Sequence, residues 1–357
     1  MVVDNNNFFN NKNLFVMETA GLCSVRDKIS CVFETTIVDE TSSKKRAEQH
    51  FQVVAAADRV RPEAAFLFSG ESSARPTEKL DGTCTAVREW DGRPWLWARH
   101  DRKPNKAAEK RFRAAAAGRR GSSAAVRDED NDDAAAFVWD VEADFRDVPP
   151  GWTPAGSGLP DAGGHIPGWV PVDPKSRTHC WHLSAVDLEE DRGAALVLQP
   201  RDNTSALEIT LRSLSDLDNC TMELIGTNIN ANPYHIGSKQ HPLHFLVRHG
   251  IVPITDDLRT PESLVDWFDT SAGAVEGIVW HCADGRLFKL HRHHLGLKWP
   301  IEQPRLIALP VVVNLEAGVG SDFIRGREFA GSKLIQSMCK LNGCSFPSIV
   351  DVKLDSV

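Results

Sequence analysis

Lys79 stands in the stretch Thr77-Glu78-Lys79-Leu80-Asp81-Gly82-Thr83, a K-x-D-G element just ahead of a β-rich run. A lysine amine is a poor nucleophile near neutral pH, because only about 1 in 2,500 is deprotonated when the pKa is near ~10.4. Burial or a second cation can activate it. A phosphorus electrophile clamped beside the activated amine then gives a phosphoramidate, which is covalent catalysis on a lysine nitrogen. Gly82 would let the backbone approach a nucleotide closely. A lone K-x-D-G is common by chance and also fits a solvated turn lysine, so the element needs partners.

Glu276-Gly277-Ile278-Val279-Trp280-His281 and Arg286-Leu287-Phe288-Lys289-Leu290-His291 flank Asp284-Gly285, which predicts a two-residue hairpin turn. That turn sets Trp280 opposite Lys289, Ile278 opposite His291 and Glu276 opposite His293. Glu276, Lys289 and His291 then share one sheet face, where a carboxylate and a lysine could hold a metal ion and a phosphate. A solvent-facing cross-strand pair is the alternative. Glu223 opens the apolar run Met222 to Ile225, and its carboxylate could accept from a ribose hydroxyl. The run His291-Arg292-His293-His294, with His281 and Cys282, raises zinc, but strand alternation sends His293 and His294 to opposite faces. Core or phosphate-facing histidines are expected there, and equally at His179 and His182.

Strands and turns must bring these residues together. Cys31 to Val38 and Phe51 to Ala57 are apolar and β-branched enough for strands, so ordered structure is expected from near residue 31. Thr83 to Glu89, the turn Asp91-Gly92 and Pro94 to Arg99 predict a hairpin, with Pro94 marking an irregular second strand. Asn105 to Gly118 predicts a basic helix ended by Gly118, and the Ala/Ser/Asp-rich residues near 114–135 read as a low-complexity surface insertion. The Pro- and Gly-dense stretch 149–174 predicts an irregular packed loop. Further strands are expected at Leu196 to Gln199, Leu207 to Leu211, Met222 to Ile225 and across Val275 to His291. Helices are expected at Pro261 to Phe268 and Gly331 to Lys340.

A chain of 357 residues, 41% hydrophobic and 25% charged, excludes fibrous, collagenous and wholly disordered classes. No apolar run approaches the roughly 18 to 20 residues a membrane-spanning helix needs; Leu306 to Leu315 is broken by Pro310 and Asn314. Eight cysteines without a C-x-x-C pair argue against a disulfide framework and a zinc ribbon. They suggest an intracellular, reducing home, cytoplasmic or nuclear, with an organelle still open. Residues 1–30 read as a disordered Asn-rich leader without the features of a signal peptide. The net charge of −8 argues against non-specific coating of nucleic acid, yet nine Lys/Arg lie between Arg99 and Arg120, and four more with three His between Arg286 and Lys298.

The order K-x-D-G, Arg99, E-L-I-G, E-G-I-V and Lys289 resembles that of the covalent nucleotidyltransferases, the superfamily of ATP-dependent DNA ligases, RNA ligases and mRNA capping enzymes. More narrowly, PTEKLDG (76–82), LWARHDRKPNK (96–106), GHIPGWVPV (164–172), ELIGTNINANPY (223–234), HPLHF (241–245) and EGIVWHCADGRLFKLHRHHLGLKWP (276–300) resemble the animal 5′-to-3′ RNA ligases, the RNA ligase 1 family. The resemblance implies an α+β nucleotidyltransferase (ligase) fold of mainly antiparallel sheets with flanking helices. It implies an adenylyltransferase domain over 31–300 and a small C-terminal extension, 301–357. With 68 residues after Lys289, no C-terminal OB domain is expected.

The implied reaction uses ATP and Mg²⁺ (or Mn²⁺) to join RNA with 5′-phosphate and 3′-hydroxyl ends, through a lysyl-AMP and an adenylylated RNA, in RNA repair. Lys79 would be the nucleophile, Arg99 and Glu223 would hold the ribose, Glu276 would place the metal, and Lys289 would contact the α-phosphate. Glu78 and Asp81 would support nucleotide binding. Lys289 beside Lys79 is expected to lower the nucleophile's pKa. The family's last motif usually reads Lys-x-Lys, so the second basic role falls to His291 or Arg292, or is unfilled. The parity of the Asp91-Gly92 hairpin puts Arg99 on the face opposite Lys79 unless Pro94 marks a bulge; Arg102 is the alternative. A DNA ligase, a guanylyltransferase and a non-catalytic RNA-binding protein are the competing readings. No membrane partner is expected.

Overall fold

The computed structural model describes residues 25, 28–38, 52–70, 72–122, 137–161, 163–188, 193–256, 258 and 260–354. Apart from Val25 and residues 28–30, the expected leader lies outside them, as does 123–136 of the expected insertion. The chain opens with β1 (Ser30–Cys31), β2 (Phe33–Val38), β3 (Gln52–Val60), β4 (Arg75–Lys79), β5 (Thr83–Trp90) and β6 (Arg93–Arg99). Helix α1 (Lys106–Ser122), β7 (Thr153–Pro154), β8 (Gly168–Pro171) and α2 (Cys180–Ser184) follow. Next come β9 (Val186–Asp187), β10 (Ala194–Pro200), β11 (Leu207–Ser213), β12 (Thr221–Gly226), β13 (His244–Arg248) and α3 (Pro261–Phe268). The chain continues through β14 (Gly277–His281), β15 (Leu287–His291), β16 (Val311–Val313), α4 (Glu316–Val319), α5 (Ser321–Ile324), α6 (Lys333–Cys339) and β17 (Ser345–Phe346). The architecture is the expected α+β one of mostly antiparallel sheet with few helices, and no barrel forms among the described residues.

Two compact units emerge, one containing Ile29–Leu96 and Val172–Val357, the other Trp97–Pro171. In the first, a four-stranded sheet has the order β1-β15-β14-β4. Alternation gives it two distinct faces. Ile278, Trp280, Phe288 and Leu290 face a core shared with Phe33 and with Leu264, Trp267 and Phe268 of α3. Pro261 at the start of α3 and the Thr260 side chain capping the Ser263 N–H explain why that helix begins where the sequence predicted.

The larger sheet of the first unit runs β17-β16-β11-β10-β13-β12-β5 and on to β6. Its core joins Leu196, Leu198, Ile209, Leu211, Phe245 and Val247 to Leu334, Ile335 and Met338 of α6. The residues read as a C-terminal extension thus supply β16, which pairs in parallel with β11, and a helix packed on the same core. Strand β13 lies between Pro242 and Gly250 but was not predicted. Asp91 (φ 52°) and Gly92 (φ 76°) both adopt left-handed backbone, as a two-residue primed turn between β5 and β6 requires.

In the second unit β8, expected as irregular loop, pairs antiparallel with the end of β6 and with β7. Helix α1 is capped by Asn105, whose side chain accepts from the Ala108 N–H at 3.0 Å. It runs through Gly118 to Ser122 and does not stop at that glycine. A mid-helix glycine costs only about 1 kcal/mol against alanine, which an Ala-rich neighbourhood tolerates. Phe112 packs against Phe137 and Trp139, and Trp139 against Phe145, with ring centroids 5.0–5.4 Å apart.

Candidate active site

Lys79 is the last residue of β4 and pairs with Gly277, while Thr83 opens β5 in the larger sheet. The K-x-D-G element is therefore the crossing between two sheets. A Cβ on Gly82 would lie 2.3 Å from the Leu224 carbonyl oxygen and 2.7 Å from Glu223 Cγ, so only glycine lets the crossing pass β12. The close approach is to a strand of the protein itself, where the sequence suggested a nucleotide. Asp81 locks the crossing. Its carboxylate accepts from Trp299 Nε1 at 2.8 Å and Asn230 Nδ2 at 2.9 Å, and its N–H donates to the Tyr234 hydroxyl at 2.8 Å. Burial, followed by the Glu276 charge, raises the Asp81 pKa.

Glu276 precedes β14 and is 3% exposed; its Oε2 lies 2.7 Å from Lys79 Nζ and its Oε1 3.4 Å from His291 Nδ1. Burial disfavours the Lys79 ammonium, but Glu276, Glu223 and Asp81 outweigh it and leave its pKa above the ordinary value. This corrects the expectation that Lys289 would depress it: three carboxylates act on the amine. Lys79 is an ammonium paired with Glu276.

The hairpin register differs by one residue from the prediction. Gly277 pairs with His291, Ile278 with Leu290, Val279 with Lys289 and Trp280 with Phe288. The loop has three residues, closed by Cys282 N–H to Arg286 O and Gly285 N–H to Cys282 O, each 3.0 Å, with Gly285 left-handed at φ 83°. This is a turn followed by a one-residue bulge, not a primed two-residue turn. Lys79, Lys289 and His291 then share a face through their pairing with Gly277 and Val279. Glu276 reaches that face from outside the strand, where alternation no longer applies. Glu78, opposite Ile278, points to the other, apolar face.

Neither candidate for the second basic role supplies a mobile cation. Burial, then Lys79 and Lys289, push His291 well below the ordinary histidine pKa, so it is neutral. Arg292 is buried and donates to the carbonyls of Phe268 (2.7 Å), Gly273 (2.8 Å) and Lys298 (3.1 Å). His291, His293 and His294 cluster with ring centroids 4.5–4.9 Å apart, because 292–295 form a 3-10 turn and do not alternate as a strand would.

Glu223 faces Cys84 on β5 and Val247 on β13. Its Oε2 lies 2.9 Å from His249 Nε2, whose Nδ1 is 2.8 Å from Thr221 Oγ1. Neither Cys84 nor His249 was singled out from the sequence; only the pairing of β5, β12 and β13 reveals them. Arg99 belongs to the second unit, where its Nε donates to Asp101 Oδ1 at 2.7 Å and its guanidinium lies over Trp169 at 5.2 Å. Arg102, the alternative, donates to the carbonyls of Arg146 (2.7 Å) and Val141 (3.0 Å). Lys79, Asp81, Glu223 and Glu276 thus assemble about one amine, with Lys289 on the Lys79 face.

Hard divalent cations such as Mg²⁺ are commonly held by one or two carboxylates plus substrate phosphates. Glu276 fits that use, since among the described residues its two oxygens meet a lysine and a histidine, whereas both Asp81 oxygens are already engaged by donors. No helix among the described residues is long and apolar enough to cross a membrane.

The sequence model of the RNA ligase 1 family matches residues 19–355. RNA ligase 1 of Danio rerio is 42% identical over 344 residues, covering 94% of this chain and 99% of that protein. RNA ligase 1 of Pongo abelii is 45% identical over 303 residues, 82% of this chain and 88% of that protein, and the Mus musculus protein is 41% identical over 344. With nearly its whole length matched, and with its lysine, carboxylates and crossing glycine gathered as described, the chain belongs to the RNA ligase 1 family.

Proposed function

We propose that this protein is an ATP-dependent 5′-to-3′ RNA ligase that joins 5′-phosphate and 3′-hydroxyl RNA ends. The observation that carries the reading is the Lys79 amine held 2.7 Å from Glu276 at the crossing of two sheets, with Glu223 acting on it, in a member of the RNA ligase 1 family. Lys79 Nζ gives its extra proton to solvent and attacks the α-phosphorus of ATP; a second proton leaves to solvent as the N–P bond forms and the bond to pyrophosphate breaks. A 5′-phosphate oxygen of the RNA then takes the adenylyl group and returns the amine. Finally the 3′-hydroxyl attacks the activated phosphorus, expelling AMP.

Glu223 binds the ribose hydroxyls and Lys289 the α-phosphate. Glu276 first pairs the ammonium and then places Mg²⁺ or Mn²⁺, which when bound neutralises phosphate charge. Asp81 holds the crossing in shape, and Glu78 acts only through the strand that carries Lys79. RNA repair in the cytoplasm or nucleus is the role this chemistry serves. The test is sealing of 5′-phosphorylated RNA against nicked DNA, with ATP or GTP. RNA sealing with ATP, with adenylylated RNA accumulating when the 3′-hydroxyl is blocked, is expected. Faster sealing of nicked DNA would move the reading to a DNA ligase. Binding of RNA without joining would leave a non-catalytic protein.

A further inference from the structure

We propose that Cys84, Glu223 and His249 form a binding site for a soft divalent cation of the zinc class, separate from the hard-cation position at Glu276. The thiol, a carboxylate oxygen and an imidazole nitrogen all lie within 4.8 Å of one another on half-buried side chains. Strand pairing fixes this grouping. Cys84 and Glu223 are direct partners on β5 and β12, and His249 follows β13 two residues beyond Val247, the partner of Glu223 on the other side. Directly paired residues hold their Cβ atoms about 4.5–5.5 Å apart, a separation from which three side chains can converge on one ion.

The chemistry of the set is selective. A thiolate favours zinc-class ions and disfavours Mg²⁺, so the two cation positions do not compete. The charges of thiolate, carboxylate and a dication cancel. Three protein ligands leave a fourth position for water, as in open zinc sites. The outer shell is already built. Thr221 Oγ1, fixed by the Val25 N–H at 2.7 Å, lies 2.8 Å from His249 Nδ1, so it can accept the Nδ1 proton while Nε2 turns its lone pair to the metal. Binding breaks the 2.9 Å contact between His249 Nε2 and Glu223, releases the thiol proton to solvent, and occupies the carboxylate.

Resting on the proposed ribose role of Glu223, the site is inhibitory: a bound zinc ion removes the group that receives ATP. The experiment is anaerobic titration of the metal-free, reduced full chain with Co²⁺, followed by displacement with Zn²⁺. One equivalent with a thiolate-to-cobalt charge-transfer band is expected. Cys84→Ser and His249→Ala, each checked for an unchanged circular dichroism spectrum, lose the band or weaken binding at least about tenfold. Cys344→Ser keeps it. Absence of the band, or its survival in Cys84→Ser, overturns the site and leaves the nucleotide reading intact. In parallel, Zn²⁺ is titrated into the ATP-labelling reaction. Inhibition relieved in Cys84→Ser supports the inhibitory role; a cobalt band with unimpeded labelling keeps the site and overturns the ribose role of Glu223.

Discussion

At the scale of single residues, the reaction begins with a proton in the wrong place. Lys79 is held as an ammonium by Glu276, so the amine must lose charge before it attacks. Glu276→Gln removes the strongest counter-charge and lowers the Lys79 pKa. Acylation of Lys79 by a neutral amine-reactive ester at pH 8, read by peptide mass spectrometry, is expected to rise several-fold in that variant, since each pKa unit is a tenfold change in free amine. Unchanged acylation would contradict the pairing. Glu78 behaves differently. Burial, opposed by Arg305, raises its pKa from 4.5 to about 7, and neither carboxylate oxygen has a hydrogen-bond partner among the described residues. The folded state therefore keeps a proton that the unfolded chain releases. Its stabilising effect is complete below pH 4.5, falls as pH climbs towards 7, and is flat above. Glu78→Gln is expected to gain stability relative to the parent at pH 8 compared with pH 5, on the order of a few kcal/mol. Urea denaturation at both pH values checks this, and an equal difference at both would refute it.

At the scale of elements, two glycines set how closely strands approach. A Cβ on Gly277 would meet the Leu290 carbonyl oxygen at 2.3 Å, and backbone cannot swing aside as a side chain can. Gly277→Ala is expected to cost about 1–3 kcal/mol or more, the range for overpacking, and to displace Glu276 from Lys79. An unshifted melting curve would show that β14 and β15 separate freely. The same hairpin marks where sequence reading stops. Asp-Gly occurs twice: at Asp91-Gly92 both residues are left-handed, whereas at Asp284-Gly285 only the glycine is. The dipeptide suits either turn, so the existence of both hairpins was legible but the register of the second was not. One residue of register moved Lys289 from facing Trp280 to facing Val279, and with it the set of residues that share a face. Helix α3 and strands β10 to β12 were readable because caps and apolar runs are local. Strand β13 was not, and the Cys84–Glu223–His249 grouping depends on its long-range pairing.

For the whole molecule, residues 301–357 are part of the first unit. Val311 and Val313 are buried beside β11, and Leu334, Ile335 and Met338 cover the same core, at about 1.5–3 kcal/mol for each large side chain fully buried. A chain ending at Pro300 is expected to lose cooperative unfolding and bind a hydrophobic dye; cooperative melting with retained labelling by ATP would instead make 31–300 self-sufficient. The central claim, that Lys79 carries an adenylate, has a direct test. The purified chain is incubated with α-³²P-ATP, or separately α-³²P-GTP, and Mg²⁺, then denatured, with Lys79→Met as the control. Label from ATP that stays on the denatured protein and is absent from the folded Lys79→Met variant is the predicted result. No label from either nucleotide, on folded protein shown by mass spectrometry to carry no adenylate already, would contradict it.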